Sequence, residues 1–233
     1  MCSSDLHQEM GSKEKHFARG TGFANFLKAP GMPTNGFSSA IVKLNDDATA
    51  TVLISGVDMG QGLLTTITQI AAESLNLPIS RIEVTPVPDT RYTPYEWQTV
   101  ASRSTWMVGN AVHKACEDAI AKIKGNGALA LGVPAEEIFY DGEKVFWRFD
   151  AQRSVPVSRL MMGHSFANGR TVGVPPVGYG AYVPEMEYPD PKTGQGNVAA
   201  QWTYGCQGVV LDVDLRTGEI LPQIGRASCR ERG

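Results

Sequence analysis

The passage from residue 52 to 75, VLISGVDMGQGLLTTITQIAAESL, limits the fold more than any other part of the chain. Val52, Leu53 and Ile54 form the kind of apolar run that makes a short strand. Leu63, Ile67, Ile70, Ala71 and Leu75 then recur at three- and four-residue spacing. That predicts a helix over 63–75, ended by Asn76 and Pro78. Strand therefore passes into helix through Met59, Gly60, Gln61 and Gly62. One glycine is enough for a turn. Two glycines around a glutamine let the backbone run close to a bulky neighbour. They also leave N–H groups of the helix start facing a phosphate or another acceptor-rich group. Gln61 adds a carboxamide that both donates and accepts. The bend is not a P-loop, because no Lys-Ser/Thr follows Gly62, and GQGLLT lacks the third glycine of a dinucleotide fingerprint. GTGFAN, at 20–25, fails the same test. On spacing alone, a plain strand-to-helix turn stays open as the alternative.

A second constellation lies at 98–112, QTVASRSTWMVGNAV. Thr99, Ser102, Ser104 and Thr105 cluster where a loop marked by Pro86, Pro88 and Pro94 meets a helix. The stripe Val108, Ala111, Val112, Ala115, Ala119 and Ile123 predicts that helix from about Ser104 to Ile123, with Gly125 and Gly127 stopping it. One hydroxyl caps a helix, and four exceed that need. A cap in a solvated polar loop is the plainer reading. Elsewhere the pattern predicts strands at 41–44 and 82–84, a hairpin about Asp141-Gly142 and a short helix over 154–162. A long loop over 163–200 and a closing strand–turn–strand about Thr217-Gly218 complete it.

Composition narrows the function classes. The chain has 233 residues, 42% hydrophobic and 19% charged, with a formal net charge of -3. This suits a globular chain with a real core and argues against broad nucleic-acid binding. No apolar run approaches the ~20 residues of a membrane span. No charged start leads into an apolar stretch, as a secretory signal would. Two segments, 1–6 (MCSSDL) and 224–233 (IGRASCRERG), resemble the translation of a DNA-library sequencing adapter read in opposite directions, and are set aside as artefact. Cys2 and Cys229 go with them. Cys116 and Cys206 alone make neither a disulfide framework nor a metal quartet.

Taken jointly, GTGFANFLKAPGMP, SGVDMGQGLLTTITQIAAESLNLP, TVASRSTWMVGNAVHKAC and YGCQGVVLDVDLRTGEI resemble one family in order and spacing. It is the molybdenum-cofactor-binding large subunit of the xanthine dehydrogenase and aldehyde oxidase family, the molybdenum hydroxylases. The resemblance implies an α+β fold of mixed β-sheets with helices packed on one side, as part of a molybdopterin-binding domain. It implies that Met59, Gly60, Gln61 and Gly62 form one cofactor loop, and that Thr99, Ala101, Ser102 and Ser104 form the second cofactor-binding segment. The family's metal is held by the pterin's dithiolene sulfurs, so no protein metal ligand is expected. The cofactor would be molybdenum–molybdopterin, with the cytosine dinucleotide form among its options.

Family members hydroxylate a carbon beside nitrogen or oxygen, with water as the oxygen source and a glutamate as base. The resemblance places that glutamate beyond this chain's C-terminus, so no catalytic residue is assigned here. Glu73, Glu117, Glu143 and Glu219 read as solvated, and His113, His164, Trp97 and Trp202 as structural. Cys116 and Cys206 read as packing residues. Electrons would leave through iron–sulfur clusters to FAD. Such clusters need four cysteines each, so these centres are expected on other subunits or domains of a hetero-oligomer. The substrate would be a small N-heterocycle or aldehyde. The expected compartment is the cytoplasm, with the periplasm also open. The expected domains are a molybdopterin-binding unit over 7–127 and a smaller, incomplete unit over 128–223. The rival function is a non-catalytic phosphate- or nucleotide-binding module built on the same glycine bend.

Overall fold

A computed structural model describes residues 16–29, 35–197, 199 and 201–227. The segment at 1–6 lies outside the described residues. In chain order the elements are β1 Phe17–Lys28, β2 Ser38–Leu44, β3 Ala50–Ile54, α1 Leu63–Leu75, β4 Ile82–Val84, α2 Ser104–Leu131, β5 Ile138–Tyr140, β6 Lys144–Trp147, β7 Asp150–Pro156, β8 His164–Ser165, β9 Thr171–Val172, β10 Val177–Tyr182, β11 Thr203–Asp214 and β12 Ile220–Ala227. They divide into two compact units, one joining the chain up to Ala29 with the chain from Gln201, the other Pro30–Ala200. The boundary expected at 127/128 lies inside α2, and β1 pairs with β11.

In the smaller unit, β1 and β11 pair antiparallel from Phe17↔Asp214 to Lys28↔Thr203, and β12 adds to β11. Arg19 grips the Asp212 carboxylate with Nε and Nη2 at 2.7 and 2.6 Å. The pairing of β12 continues through Ile224 to Ala227, into the segment set aside as artefact. Ladder bonds are made by backbone, so a strand edge accepts whatever chain follows.

The larger unit holds a four-stranded sheet in the order β10-β2-β3-β4, with β3 and β4 parallel and the other pairs antiparallel. Ala40, Val42 and Leu44 of β2 and Ala50, Val52 and Ile54 of β3 alternate onto one buried face. Leu63, Ile67, Ala71 and Leu75 of α1 complete the core with the apolar stripe of α2. The architecture is thus α+β with mixed sheets and helices packed on one side. A smaller antiparallel sheet, β5-β6-β7, sits against the end of α2.

Three expectations fail, two of them for a packing reason. α2 runs to Leu131 and is closed by Gly132 at φ 66°. Gly127 does not stop it; a Cβ there would lie 2.5 Å from Val145 Cγ2, so this glycine lets β6 approach the helix. Residues 154–162 form the end of β7 and one 3-10 turn at Val157–Arg159. The loop expected over 163–200 contains β10, a strand of the main sheet. Its glycines are contact positions: a Cβ on Gly178 would sit 1.9 Å from the Ala115 carbonyl oxygen, and one on Gly180 2.1 Å from that of Ala111. Gly here marks close approach of strand and helix backbones.

Candidate functional site

The two sequence constellations meet where β3 ends. The Val57 N–H donates to Thr99 Oγ1 at 2.8 Å, tying the first bend to the second. Just before it, the Ser55 hydroxyl bonds the Pro94 carbonyl and the Thr93 hydroxyl. Gly56 is buried between the helix starts, where a Cβ would sit 2.9 Å from Leu63 Cδ2 and 3.4 Å from Val108 Cγ2. Packing of α1 on α2 therefore brings both bends to one end of the helix pair.

In the first bend, Gly60 and Gly62 take φ values of 102° and 78°, and a Cβ on either would meet nothing within 4 Å. Glycine is needed there for backbone conformation, and the backbone above is open. Met59 is 71% exposed. Gln61 folds over its own loop: Oε1 accepts from the Met59 N–H at 2.5 Å, and Nε2 donates to the Val57 carbonyl at 2.8 Å. The N–H groups expected to face outward have an internal acceptor. Asp58 receives the Gly60 and Gly62 N–H groups on Oδ1 at 2.9 and 3.4 Å, and the Leu64 N–H on Oδ2 at 3.0 Å. The bonds from Leu64, then Gly60, hold the Asp58 carboxyl below its ordinary range. Sequence reasoning missed this residue. Its available signal was Asp just ahead of a Gly bend, which bonds backbone N–H groups two or more residues on.

In the second bend, Ala101 and Ser102 are consecutive left-handed residues at φ 56° and 58°. Such non-glycine positions cost about 1–3 kcal/mol each, and neighbouring structure must hold them. Arg103 follows, fully buried. Its Nη1 bonds the Glu96 carboxylate and the Gln98 carbonyl, its Nη2 reaches Ser38 Oγ at 3.1 Å, and the guanidinium lies 5.4 Å from the Trp97 ring centroid. Glu96 Oε2 and Arg103 Nε are buried without a hydrogen-bond partner. Burial raises the Glu96 carboxyl above its ordinary value, opposed by Ser38 and Arg103. This pair, too, escaped the sequence reading, because one arginine among small polar residues carries no sign of its burial. Ser104 begins α2.

The remaining polar candidates lie elsewhere. Glu73, Glu117, Glu143 and Glu219 are all exposed. His113 shares its ring with Ser74 Oγ at 3.0 Å and Glu117 at 3.5 Å on an exposed helix face. His164 lies in β8 and packs edge-on against Phe166. Cys116 is buried and its thiol is pushed up to about 12, chiefly by burial. Cys206, expected to pack, is exposed on β11. Among the described residues no group of three or more His, Cys, Asp or Glu could hold a metal ion.

The fold is thus an α+β domain in which a hydrogen bond joins two polar bends. The chain belongs to the molybdopterin cofactor-binding domain family, whose model matches residues 3–223. It is similar to a probable hypoxanthine oxidase of Escherichia coli K12, 30% identical over 203 residues, covering 86% of this chain and 19% of the relative. This chain thus spans about a fifth of that relative's length. Among solved structures it resembles CO dehydrogenase from Oligotropha carboxidovorans, with TM-score 0.70, 21% identity, and 91% and 26% of the two chains covered. It also resembles quinoline 2-oxidoreductase from Pseudomonas putida 86, with TM-score 0.69, 20% identity, and 91% and 27% covered. These two likenesses concern the fold.

The residues present suit a pterin better than an anion. The Gln61 carboxamide and the hydroxyls of the second bend offer neutral donors and acceptors, and the space beside Gly60 and Gly62 is open. A phosphate on the first turn of α1 would meet the Asp58 carboxylate, which already holds those N–H groups.

Proposed function

We propose that this chain is the molybdopterin-binding piece of a molybdenum hydroxylase that oxidises an N-heterocycle or an aldehyde with water as the oxygen source. Met59, Gly60, Gln61 and Gly62 would hold one side of the cofactor, and Thr99, Ala101, Ser102 and Ser104 the other. The observation that carries the reading is the Val57 N–H bond to Thr99 Oγ1, which brings two polar bends about forty residues apart to one place. When bound, the molybdenum centre would supply the two-electron oxidation. This chain's own share is binding and orientation. Buried polar groups of the pterin need partners, since each one left unsatisfied costs about 1–3 kcal/mol, and the bends offer them. Gln61 already spans Val57 and Met59, so its carboxamide would keep the loop's shape while its remaining amide hydrogen faces the cofactor.

No base is assigned to the described residues; a glutamate from another part of the whole protein would serve. Iron–sulfur and FAD centres on other domains or subunits would take the electrons, in a hetero-oligomer placed in the cytoplasm. No described helix is long and apolar enough to cross a membrane. The test is molybdenum and pterin analysis of the whole protein purified with its partners. Both should be present near one per chain, and Gln61→Ala should lower the occupancy. Full occupancy in that variant would remove Gln61 from the site, and a wild-type protein without molybdenum or pterin would sink the whole reading.

A further inference from the structure

The buried Glu96–Arg103 pair is poorly designed as a source of stability. Both side chains leave water almost completely, with 4% and 0% of their side-chain surface exposed. One carboxylate oxygen and one guanidinium nitrogen gain no hydrogen bond. Apolar side chains of like volume generally hold a fold as well as such a pair does. Position gives the pair a different meaning. Arg103 is the residue directly after the left-handed Ala101 and Ser102, and its side chain reaches back to the residues that precede them. It seizes the residues that enter the bend: the carboxylate of Glu96, the ring of Trp97 and the carbonyl of Gln98. Through Ser38 Oγ it also anchors the bend to β2, whose Ser38 forms a bridge with Glu96. Both ends of 96–103 are therefore fixed by one guanidinium, and the strained residues lie between them.

We infer that the Glu96–Arg103 pair is a positioning device, which holds the second bend in its left-handed form so that Thr99, Ala101, Ser102 and Ser104 meet the cofactor preorganised. This rests on the cofactor reading above and names what makes that site rigid. Arg103 and Glu96 act through the bend and do not touch the cofactor. A planar guanidinium is required because three acceptors and one ring are engaged together; a lysine ammonium would reach fewer of them.

The experiment uses the whole protein with its partners. The variants are Arg103→Met, Arg103→Lys and the paired replacement Glu96→Leu with Arg103→Met. Three quantities are read: melting temperature, amide hydrogen exchange of peptides covering 97–104 in cofactor-free protein, and the rate at which molybdenum and pterin leave. The paired apolar variant should melt close to wild type yet exchange 97–104 faster and release cofactor about tenfold faster, the factor that 1.4 kcal/mol of lost preorganisation gives. Arg103→Lys, the conservative change least prone to misfolding, should fall between wild type and Arg103→Met on both measures. Unchanged exchange and retention in the paired variant would overturn the inference. So would cofactor loss that merely follows melting temperature across all variants. Wild-type protein with neither molybdenum nor pterin would instead overturn the site reading beneath it.

Discussion

Asp58 offers the sharpest test of how the first bend is built. It is the acceptor for three N–H groups at the start of α1, from Gly60, Gly62 and Leu64. The N-cap residue itself, Gly62, supplies no side-chain cap. Replacing Asp58 by alanine should therefore cost what a lost cap costs, about 0.5–2 kcal/mol. Loss of a negative charge at a helix N-terminus adds about 0.3–1 kcal/mol. Water reaches this end of the helix and takes over some of the N–H groups, so a net loss of about 1–2 kcal/mol is expected. For a body of this size that is a drop of about 2–8 °C in melting temperature. The pH dependence follows from the depressed carboxyl. Its folded-state value lies below its unfolded value, so the stabilisation is complete above the unfolded range near pH 4 and is lost as pH falls through the folded value. Thermal melts of wild type and Asp58→Ala between about pH 3 and 7 should show a gap that is constant at the upper end and closes in acid. An Asp58→Ala protein that melts like wild type at pH 7, or a gap that widens in acid, would refute the capping role.

Other expectations follow from the same geometry. Asp58→Asn removes the charge that excludes anions from α1, so millimolar phosphate should raise the melting temperature of the variant and leave wild type unmoved; equal responses would count against the exclusion. Gly178→Ala and Gly180→Ala each drive a methyl into α2 backbone, and should lower stability by at least the 1–3 kcal/mol of ordinary overpacking, measured by urea unfolding. Gly132→Ala places a side chain at φ 66° on the C-cap of α2, and should cost about 1 kcal/mol; no loss would mean that the cap relaxes freely. Cys206 should be alkylated by iodoacetamide in the native protein and Cys116 only after unfolding, since Cys116 is buried with its thiol held near 12. Peptide mapping that finds Cys116 modified first would contradict the packing of α2.

Local pattern carried the parts of this fold whose side chains alternate against one partner. The boundaries of α1 follow from Leu63 to Leu75, and β2 and β3 follow from their buried alternation. The bends were legible as candidates because two glycines around a glutamine, and four clustered hydroxyls, exceed what a turn and a helix cap need. What pattern could not show was the meaning of glycine when the neighbour is distant in sequence. Gly127, Gly178 and Gly180 look like breakers from the chain alone, yet each is a place where two elements touch. The Glu96–Arg103 pair and the capping by Asp58 stayed hidden for a related reason. A charged side chain reveals its partner only when the chain has folded over it.

The sequence by itself thus marked out α1, β2 and β3, and singled out two short polar bends as candidate cofactor contacts. Tertiary structure alone decided that the bends meet, through one N–H of Val57 and one hydroxyl of Thr99. It also decided that a buried guanidinium pairs with Glu96 beside two residues in the left-handed conformation. The physical reason is range: helix and strand periodicity is set by bonds between near neighbours, whereas burial, close backbone approach and charge pairing depend on residues far apart in the chain.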